Sequence, residues 1–143
     1  MGWNVVNFDL RCLQKMCDRL RIPFTLGRGK SKLIWRQSRD NSDRHYALIP
    51  GRVALDGIEL MRSATYQFES FSLENVAQEI LQRGKLVDDV EQRADHIRWQ
   101  FENDKLGLAK YNLEDCRLVW HIFEKEKLID FSLERSRLTG LEL

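Results

Sequence analysis

Two acidic groups in this sequence are candidates for metal-assisted phosphate chemistry. Asn4-x3-Phe8-Asp9 near the amino end and Tyr111-x3-Asp115 near the carboxyl end each combine a carboxylate with an aromatic side chain. Two carboxylates brought together by folding can hold a magnesium ion beside a phosphate. Because Tyr111 and Asp115 are four residues apart, a helix would project both from one face, where they could position a water molecule and a metal.

Each carboxylate also has a simpler structural interpretation. Asp9 is expected at the start of a helix, where an aspartate commonly serves as a cap or interacts with the helix dipole. Asn112 could cap a later helix, which would place Asp115 at its third position. Either carboxylate alone is more typical of a cap than of a metal ligand, and the accompanying aromatic residues favour the chemical interpretation.

The apolar spacing predicts the elements that would position these groups. Residues 1–6 resemble the end of a strand, and a helix is expected from Phe8 or Asp9 to about Leu20. The apolar face of that helix would comprise Leu10, Leu13, Met16, Cys17 and Leu20. Pro23 and the glycines at 27 and 29 end this helix.

The middle of the chain predicts β-structure. Residues 33–35 and 45–49 are short apolar runs separated by a polar tip at 38–44, which indicates a hairpin. Pro50-Gly51 is a turn dipeptide, and the spacing of the apolar residues from 53 to 60 predicts a longer strand.

The second half of the chain predicts helices. Ser72 is an expected N-cap for a helix with an apolar stripe (Leu73, Val76, Ala77, Ile80 and Leu81), and Gly84 suits its end. A charged helical segment is expected from about Asp88 to Glu102. Another helix would begin near Tyr111 or Asn112 and carry Cys116, Val119, Trp120 and Phe123 on one face. Residues 128–143 should start helical and loosen near Thr139-Gly140.

Composition limits the class of protein. The 143 residues are 43% hydrophobic and 31% charged with a net charge of +1, which fits one globular domain. Residues 19–39 contain seven basic and no acidic residues, a local strip that could contact a polyanion. A solvated loop and hairpin face is an equally good explanation of this strip. The three cysteines fit reduced, buried thiols better than a zinc site, and we expect a cytoplasmic protein without a membrane span.

The motifs and the residues between them resemble family B DNA polymerases. Asn4-x3-Phe8-Asp9 is similar to the second exonuclease motif of that family, and Tyr111-x3-Asp115 is similar to the third. Residues 70–77 and Gly84-Lys85 resemble the segment that connects these motifs, and the chain as a whole is most similar to bacterial members. The resemblance covers essentially all of residues 1–143 in the right order.

The resemblance implies a ribonuclease H-like (DnaQ-like) proofreading domain of the α/β class with a β-hairpin insertion and several helices. In such a domain four acidic residues bind two Mg²⁺ or Mn²⁺ ions. Asp9 and Asp115 would be metal ligands, Tyr111 would orient the water or the scissile phosphate, and Asn4 and Phe8 would contact the 3′-terminal nucleotides. The basic residues Arg28, Lys30 and Arg36 would contact DNA, and the DNA bound would be the single-stranded 3′ end of a primer.

The sequence departs from the family in one respect. The first exonuclease motif, Asp-x-Glu, should precede the second, whereas the one Asp-x-Glu here is Asp89-Val90-Glu91, whose charges we interpret as solvent-facing. We therefore expect a fragment of the domain that lacks its first strands, is inactive alone, and in its parent chain adjoins polymerase domains. Such a fragment would expose apolar strand surface and could self-associate.

A different class of function remains open. The basic hairpin could make this a non-catalytic module for nucleic-acid binding or interaction, without metal chemistry. That alternative predicts salt-dependent DNA binding that survives the loss of Asp9 and Asp115.

Overall fold

The computed structural model describes residues 1–38, 45–83, 90–141 and 143. They form two compact units: Met1–Tyr66 with Leu128–Leu143, and Gln67–Lys127. In chain order the elements are a π-helical segment (Val5–Asp9), α1 (Leu10–Leu20), a 3₁₀ turn (Arg28–Lys30), β1 (Ile34–Gln37), β2 (His45–Leu48), α2 (Gly57–Ser63), α3 (Leu73–Leu81), α4 (Val90–Asn103), α5 (Lys105–Lys125) and α6 (Leu128–Thr139). The predicted mixture of helices and strands is confirmed.

The first unit contains the predicted hairpin. β1 and β2 pair antiparallel, with Ile34 opposite Leu48 and Gln37 opposite His45. The predicted tip residues 39–44 lie outside the described residues. A small core of Val6, Leu10, Leu33 and Ile49 joins the amino-terminal helical run to the hairpin.

Two strand predictions in this unit are wrong. The strand end predicted for residues 1–6 is absent: Gly2 contributes a single parallel bridge to Asp56, and a π-helical segment begins at Val5. Residues Gly57–Ser63 form α2, because the Asp56 side chain accepts a hydrogen bond from the Ile58 N–H and caps a helix there. A good N-cap therefore outweighs the extended preference expected from the apolar residues around it.

Helix α1 ends at Leu20 as predicted, but its apolar face is mostly exposed. Leu10 is buried, whereas Leu13, Met16 and Leu20 are 50%, 45% and 58% exposed. The prediction of buried thiols is also wrong. Cys12 and Cys116 are exposed and Cys17 is half-buried, and all three are free cysteines.

In the second unit α3 and α4 pack against α5. Ser72 caps α3 as predicted, its Oγ accepting from the Asn75 N–H at 3.2 Å, and Val76, Ala77 and Ile80 are buried. The residue in the left-handed region after α3 is Gln82, with φ of 53°, rather than the predicted Gly84, which lies outside the described residues. Asp89 and the side chain of Glu91 lie outside the described part of the chain as well.

Helix α5 begins earlier than predicted. The Asp104 side chain accepts from the Gly107 N–H at 2.8 Å and starts the helix at Lys105. On its buried face Val119 and Phe123 are accompanied by Ile122, while Cys116 and Trp120, which the prediction placed on the same face, are exposed. In the first unit α6 ends at Thr139 before a left-handed Gly140, as predicted. Among the helices of the described ranges, none has the length and apolar character required to cross a membrane.

Candidate nuclease site

The Asn4–Asp9 segment has an unusual backbone. Asn4 lies in the left-handed region with φ of 56° and ψ of 26°, and Leu10 N–H donates to the Val5 carbonyl five residues earlier. Non-glycine residues in the left-handed region and single turns of π-helix are both uncommon, and both occur preferentially at functional sites. Their coincidence marks this segment as a candidate site.

Burial sorts the side chains of this segment into two faces. Val6 and Leu10 enter the core of the first unit. Asn4 and Asp9 are exposed, and Phe8 is 62% exposed. The packing of Val6 and Leu10 therefore presents the three predicted site residues to solvent.

Asp9 does not act as the helix cap that its position suggested. Its backbone is already helical, with φ of −61° and ψ of −51°, and its side chain makes no capping hydrogen bond in the described part of the chain. The capping interpretation is therefore wrong. The exposed carboxylate supplies hard oxygen donors of the kind that Mg²⁺ and Mn²⁺ accept.

A buried carboxylate that sequence reasoning missed holds this segment. Asp56 is 4% exposed. Its Oδ1 accepts from Asn4 N–H at 3.2 Å and from Ile58 N–H at 3.1 Å, and its Oδ2 accepts from Val6 N–H at 3.1 Å. Burial raises the pKa of Asp56, and backbone hydrogen bonds from Val6, Ile58, Asn4 and Glu59 oppose that rise. The signal in the sequence was Asp56-Gly57 before an apolar run, which we interpreted as part of a longer strand.

The hairpin is tied to the same segment. The Asn7 Oδ1 accepts from the His45 N–H at 3.3 Å, at the start of β2. The Arg11 guanidinium lies 5.2 Å from the centre of the Trp35 ring in β1. Trp35 thus supports the first turn of α1 as well as the hairpin.

Tyr111 and Asp115 lie one turn apart in the middle of α5, both half-buried. Because α5 begins at Lys105, Asn112 is not its cap and Asp115 is not in its first turn. The capping interpretation of Asp115 is therefore wrong too. The four-residue spacing places the phenol and the carboxylate on one helix face, as predicted.

The two motifs belong to different units, Asp9 to the first and Asp115 to the second. Within residues 1–38, 45–83 and 90–141, no three His, Cys, Asp or Glu side chains are grouped to hold a metal ion. The described residues therefore do not by themselves form a metal site that includes Asp9 or Asp115.

The three predicted DNA-contacting cations are all exposed in the first unit. Arg28 and Lys30 lie in the 3₁₀ turn before the hairpin, where Arg28 N–H donates to Pro50 O at 2.9 Å. Arg36 lies in β1 opposite Tyr46. Their exposure suits contact with a polyanion.

Comparison with known proteins supports the resemblance drawn from the motifs. No family model matches the chain. The chain is 49% identical, over 99% of its length, to DNA polymerase II of Escherichia coli (strain K12), and it covers 18% of that protein. It is 28% identical over 99% of its length to a DNA polymerase of Thermococcus sp. (strain 9oN-7), covering 17% of it. Identity to the DNA polymerase delta catalytic subunit of Dictyostelium discoideum is 27% over the whole chain, covering 14% of that protein.

The predicted resemblance to family B DNA polymerases, and to bacterial DNA polymerase II within them, is confirmed. The chain spans less than a fifth of the length of these relatives, with 18%, 17% and 14% covered.

Proposed function

We propose that residues 1–143 are a segment of the proofreading 3′→5′ exonuclease domain of a bacterial, cytoplasmic DNA-directed DNA polymerase, with a partial ribonuclease H-like fold. The observation that carries the proposal is the 49% identity to DNA polymerase II over 99% of the chain. The environments of Asp9 and Asp115 support it, because neither carboxylate serves the structural capping role that was its simplest explanation.

In the complete domain, Asp9 and Asp115 would supply carboxylate oxygens to Mg²⁺ or Mn²⁺. A pair of such ions activates the attacking water and stabilises the leaving 3′ oxygen. Tyr111, one helical turn from Asp115, would orient the water or the scissile phosphate. Exposed Asn4 and Phe8 would contact the 3′-terminal nucleotides, so that mispaired ends are released as deoxynucleoside monophosphates.

The partners in this proposal are DNA and the polymerase domains of the parent chain. Arg28, Lys30 and Arg36 would contact phosphates of a single-stranded primer end, since each is an exposed cation in the first unit. Phosphate contacts release counterions, so each such contact should steepen the loss of affinity with added salt.

A segment exchange tests the catalytic proposal. The matching segment of E. coli DNA polymerase II is replaced by this chain, and 3′→5′ degradation of single-stranded DNA is measured with Mg²⁺. We expect the exchange to retain degradation, and Asp9→Ala or Asp115→Ala to lower its rate at least about 100-fold, more than loss of a supporting contact usually does. Asp95→Ala removes a carboxylate that is 83% exposed and is the matched control. Degradation that persists without both Asp9 and Asp115 would contradict the proposal.

The isolated chain should have negligible nuclease activity. Two carboxylates are too few to neutralise and place two divalent ions. Cleavage of single-stranded DNA by the 143-residue chain with Mn²⁺, abolished by Asp115→Ala, would show this expectation to be wrong.

The second candidate is the non-catalytic nucleic-acid-binding module, favoured by the exposure of Arg28, Lys30 and Arg36. It predicts that Asp9→Ala and Asp115→Ala leave DNA affinity intact, whereas Arg28→Gln with Arg36→Gln weakens binding and flattens its salt dependence. Fluorescence anisotropy with a labelled single strand at several salt concentrations measures these effects. The two candidates differ in degradation by the segment exchange, which the non-catalytic module would not support.

A further inference from the structure

Asp56 has more partners than a helix cap needs. An aspartate N-cap satisfies one or two N–H groups at the start of its own helix, as exposed Asp104 does at α5. Asp56 does this for α2 through Ile58, and it also accepts from Asn4 and Val6, 52 and 50 residues away in sequence. Within the described residues it is the one buried acidic side chain.

One carboxylate therefore serves two helix starts. Val6 N–H belongs to the first turn of the helical run that leads into α1, and Asn4, at the capping position of that run, makes no side-chain capping bond. The N–H groups at a helix start carry partial positive charge and have no partner within the helix. Asp56 supplies the acceptors that Asn4 does not, at the start of α2 and of the π-helical segment together.

Backbone hydrogen bonds reinforce this connection. Gly2 N–H donates to Leu55 O at 3.0 Å, and Gly57 N–H donates to Gly2 O at 2.9 Å. The chain on both sides of Asp56 is thus fixed to the chain just before Asn4. Because the backbone around Asp56 is fixed, its side chain can determine the backbone conformation of Asn4 and Val6.

The imposed conformation is the uncommon one. A left-handed Asn4 and a π-helical turn are both less favourable than ordinary helix, and they persist where surrounding contacts over-determine them. Relaxation of the π-helical turn to α-helix would shift the register by one residue, a rotation of about 100°. Such a shift would change the direction of Asn4 relative to Asp9.

We propose that Asp56 is a positioning residue, whose buried carboxylate fixes the backbone of Asn4 and Val6 and thereby sets the placement of Asn4 and Asp9 on the surface. The catalytic meaning of this placement rests on the proposed function. The conformational part stands on the hydrogen bonds alone, so the two can fail separately.

Amide hydrogen exchange on the ¹⁵N-labelled chain tests the conformational part. In the wild type Val6 N–H should be as protected as Leu10 N–H. Asp56→Asn keeps the size of the side chain but turns one acceptor into a donor. The orientation that keeps the acceptor shared by Asn4 and Ile58 places the new donor at Val6, which loses its partner. We expect amide exchange at Val6 to become about tenfold faster or more. The three-bond coupling between the amide and α protons of Asn4 should change from the value that φ of 56° produces.

The matched control is Asp104→Asn, which should quicken exchange near Gly107 and leave Val6 and Asn4 unchanged. An unprotected Val6 in the wild type overturns the proposal even if the variants fail to fold. So does an Asp56→Asn variant in which Leu33 and Met61 exchange faster by the same factor as Val6, because that would be general loosening of the unit.

Manganese titration tests the link to the site. In the segment exchange with E. coli DNA polymerase II, Asp56→Asn should need at least threefold more Mn²⁺ than the wild-type segment for half-maximal degradation of single-stranded DNA, while Asp104→Asn needs no more. An unchanged Mn²⁺ requirement in a folded Asp56→Asn variant overturns positioning. A segment exchange whose degradation does not depend on Asp9 instead contradicts the proposed metal role of Asp9, and amide exchange at Val6 then decides the positioning proposal.

Discussion

The segments Asn4–Asp9 and Tyr111–Asp115 differ in where their backbone hydrogen bonds go. The first receives its support from Asp56, about fifty residues away, and combines a left-handed residue with a π-helical turn. The second lies inside α5, a continuous helix of 21 residues whose N–H groups bond within the helix. One candidate site segment is therefore held by tertiary contacts and the other by local ones.

This difference predicts different sensitivity to substitution. A regular helix spreads its hydrogen bonds over many residues, so one surface change has a small effect. In the amino-terminal segment one buried side chain accepts from the N–H groups of both Asn4 and Val6, so one change there should have a large effect.

The largest effect is expected for Asp56→Ala. It leaves the N–H groups of Asn4 and Val6 without their acceptor and removes the cap of α2, and we expect a loss of about 3 kcal/mol in the free energy of unfolding. Asp104→Ala, which removes the single local cap of α5, should lose about 1 kcal/mol. Urea unfolding followed by circular dichroism measures both, and equal losses would contradict the contrast drawn between the segments.

A smaller effect is expected inside α5. Asn112 is exposed next to Tyr111, so substitutions there test helix propensity rather than packing. Asn112→Gly should be about 1 kcal/mol less stable than Asn112→Ala. Amide protection should differ along α5 while Val6 and Leu33 in the first unit keep theirs. A pair of variants with equal stability would show that tertiary contacts, rather than local ones, hold this segment.

The free energy of unfolding should depend on pH through the ionisation of Asp56. Because burial raises its pKa in the folded chain, the stability linked to Asp56 is fully present below its unfolded pKa, near 3.8, and is lost as pH rises through the folded pKa. The stability of the wild type relative to Asp56→Asn should therefore decrease as pH rises from 3.5 to 7. Urea midpoints of both proteins across this range measure the difference, and an increase with pH would mean that hydrogen bonding to the ionised carboxylate outweighs burial.

The contrast also explains which features could be predicted from the sequence. The hairpin, the Ser72 cap and the stripe Val76, Ala77 and Ile80 depend on local patterns, and the structure confirms them. The four-residue spacing of Tyr111 and Asp115 needed only a helix, although the true start of α5 at Lys105 depended on the Asp104 cap.

Features that depend on distant contacts were missed. The left-handed Asn4 and the π-helical turn follow from hydrogen bonds to Asp56. Asn4 and Asp56 are 52 residues apart, so local sequence patterns cannot connect them. The same carboxylate turned the predicted strand at 57–60 into α2. The motifs in the sequence were enough to name the residues of the candidate site. The hydrogen bonds from Asn4 and Val6 to Asp56, which fix the backbone before Asp9, could be found only in the structure.

The smallest effect on stability is expected on the exposed apolar face of α1. Leu13, Met16 and Leu20 lie three and four residues apart and are exposed, so Leu13→Ser with Leu20→Ser should change the free energy of unfolding by only about 0.5 kcal/mol. An exposed apolar face of this kind favours association, so we expect the wild type to self-associate in sedimentation velocity and the double variant to do so less. Leu113→Ser on α5, which removes one leucine that is 50% exposed, is the control and should leave association unchanged. A wild type that stays monomeric at high concentration would contradict the expected self-association, whereas loss of association in Leu113→Ser would assign it to the helix of the second segment instead.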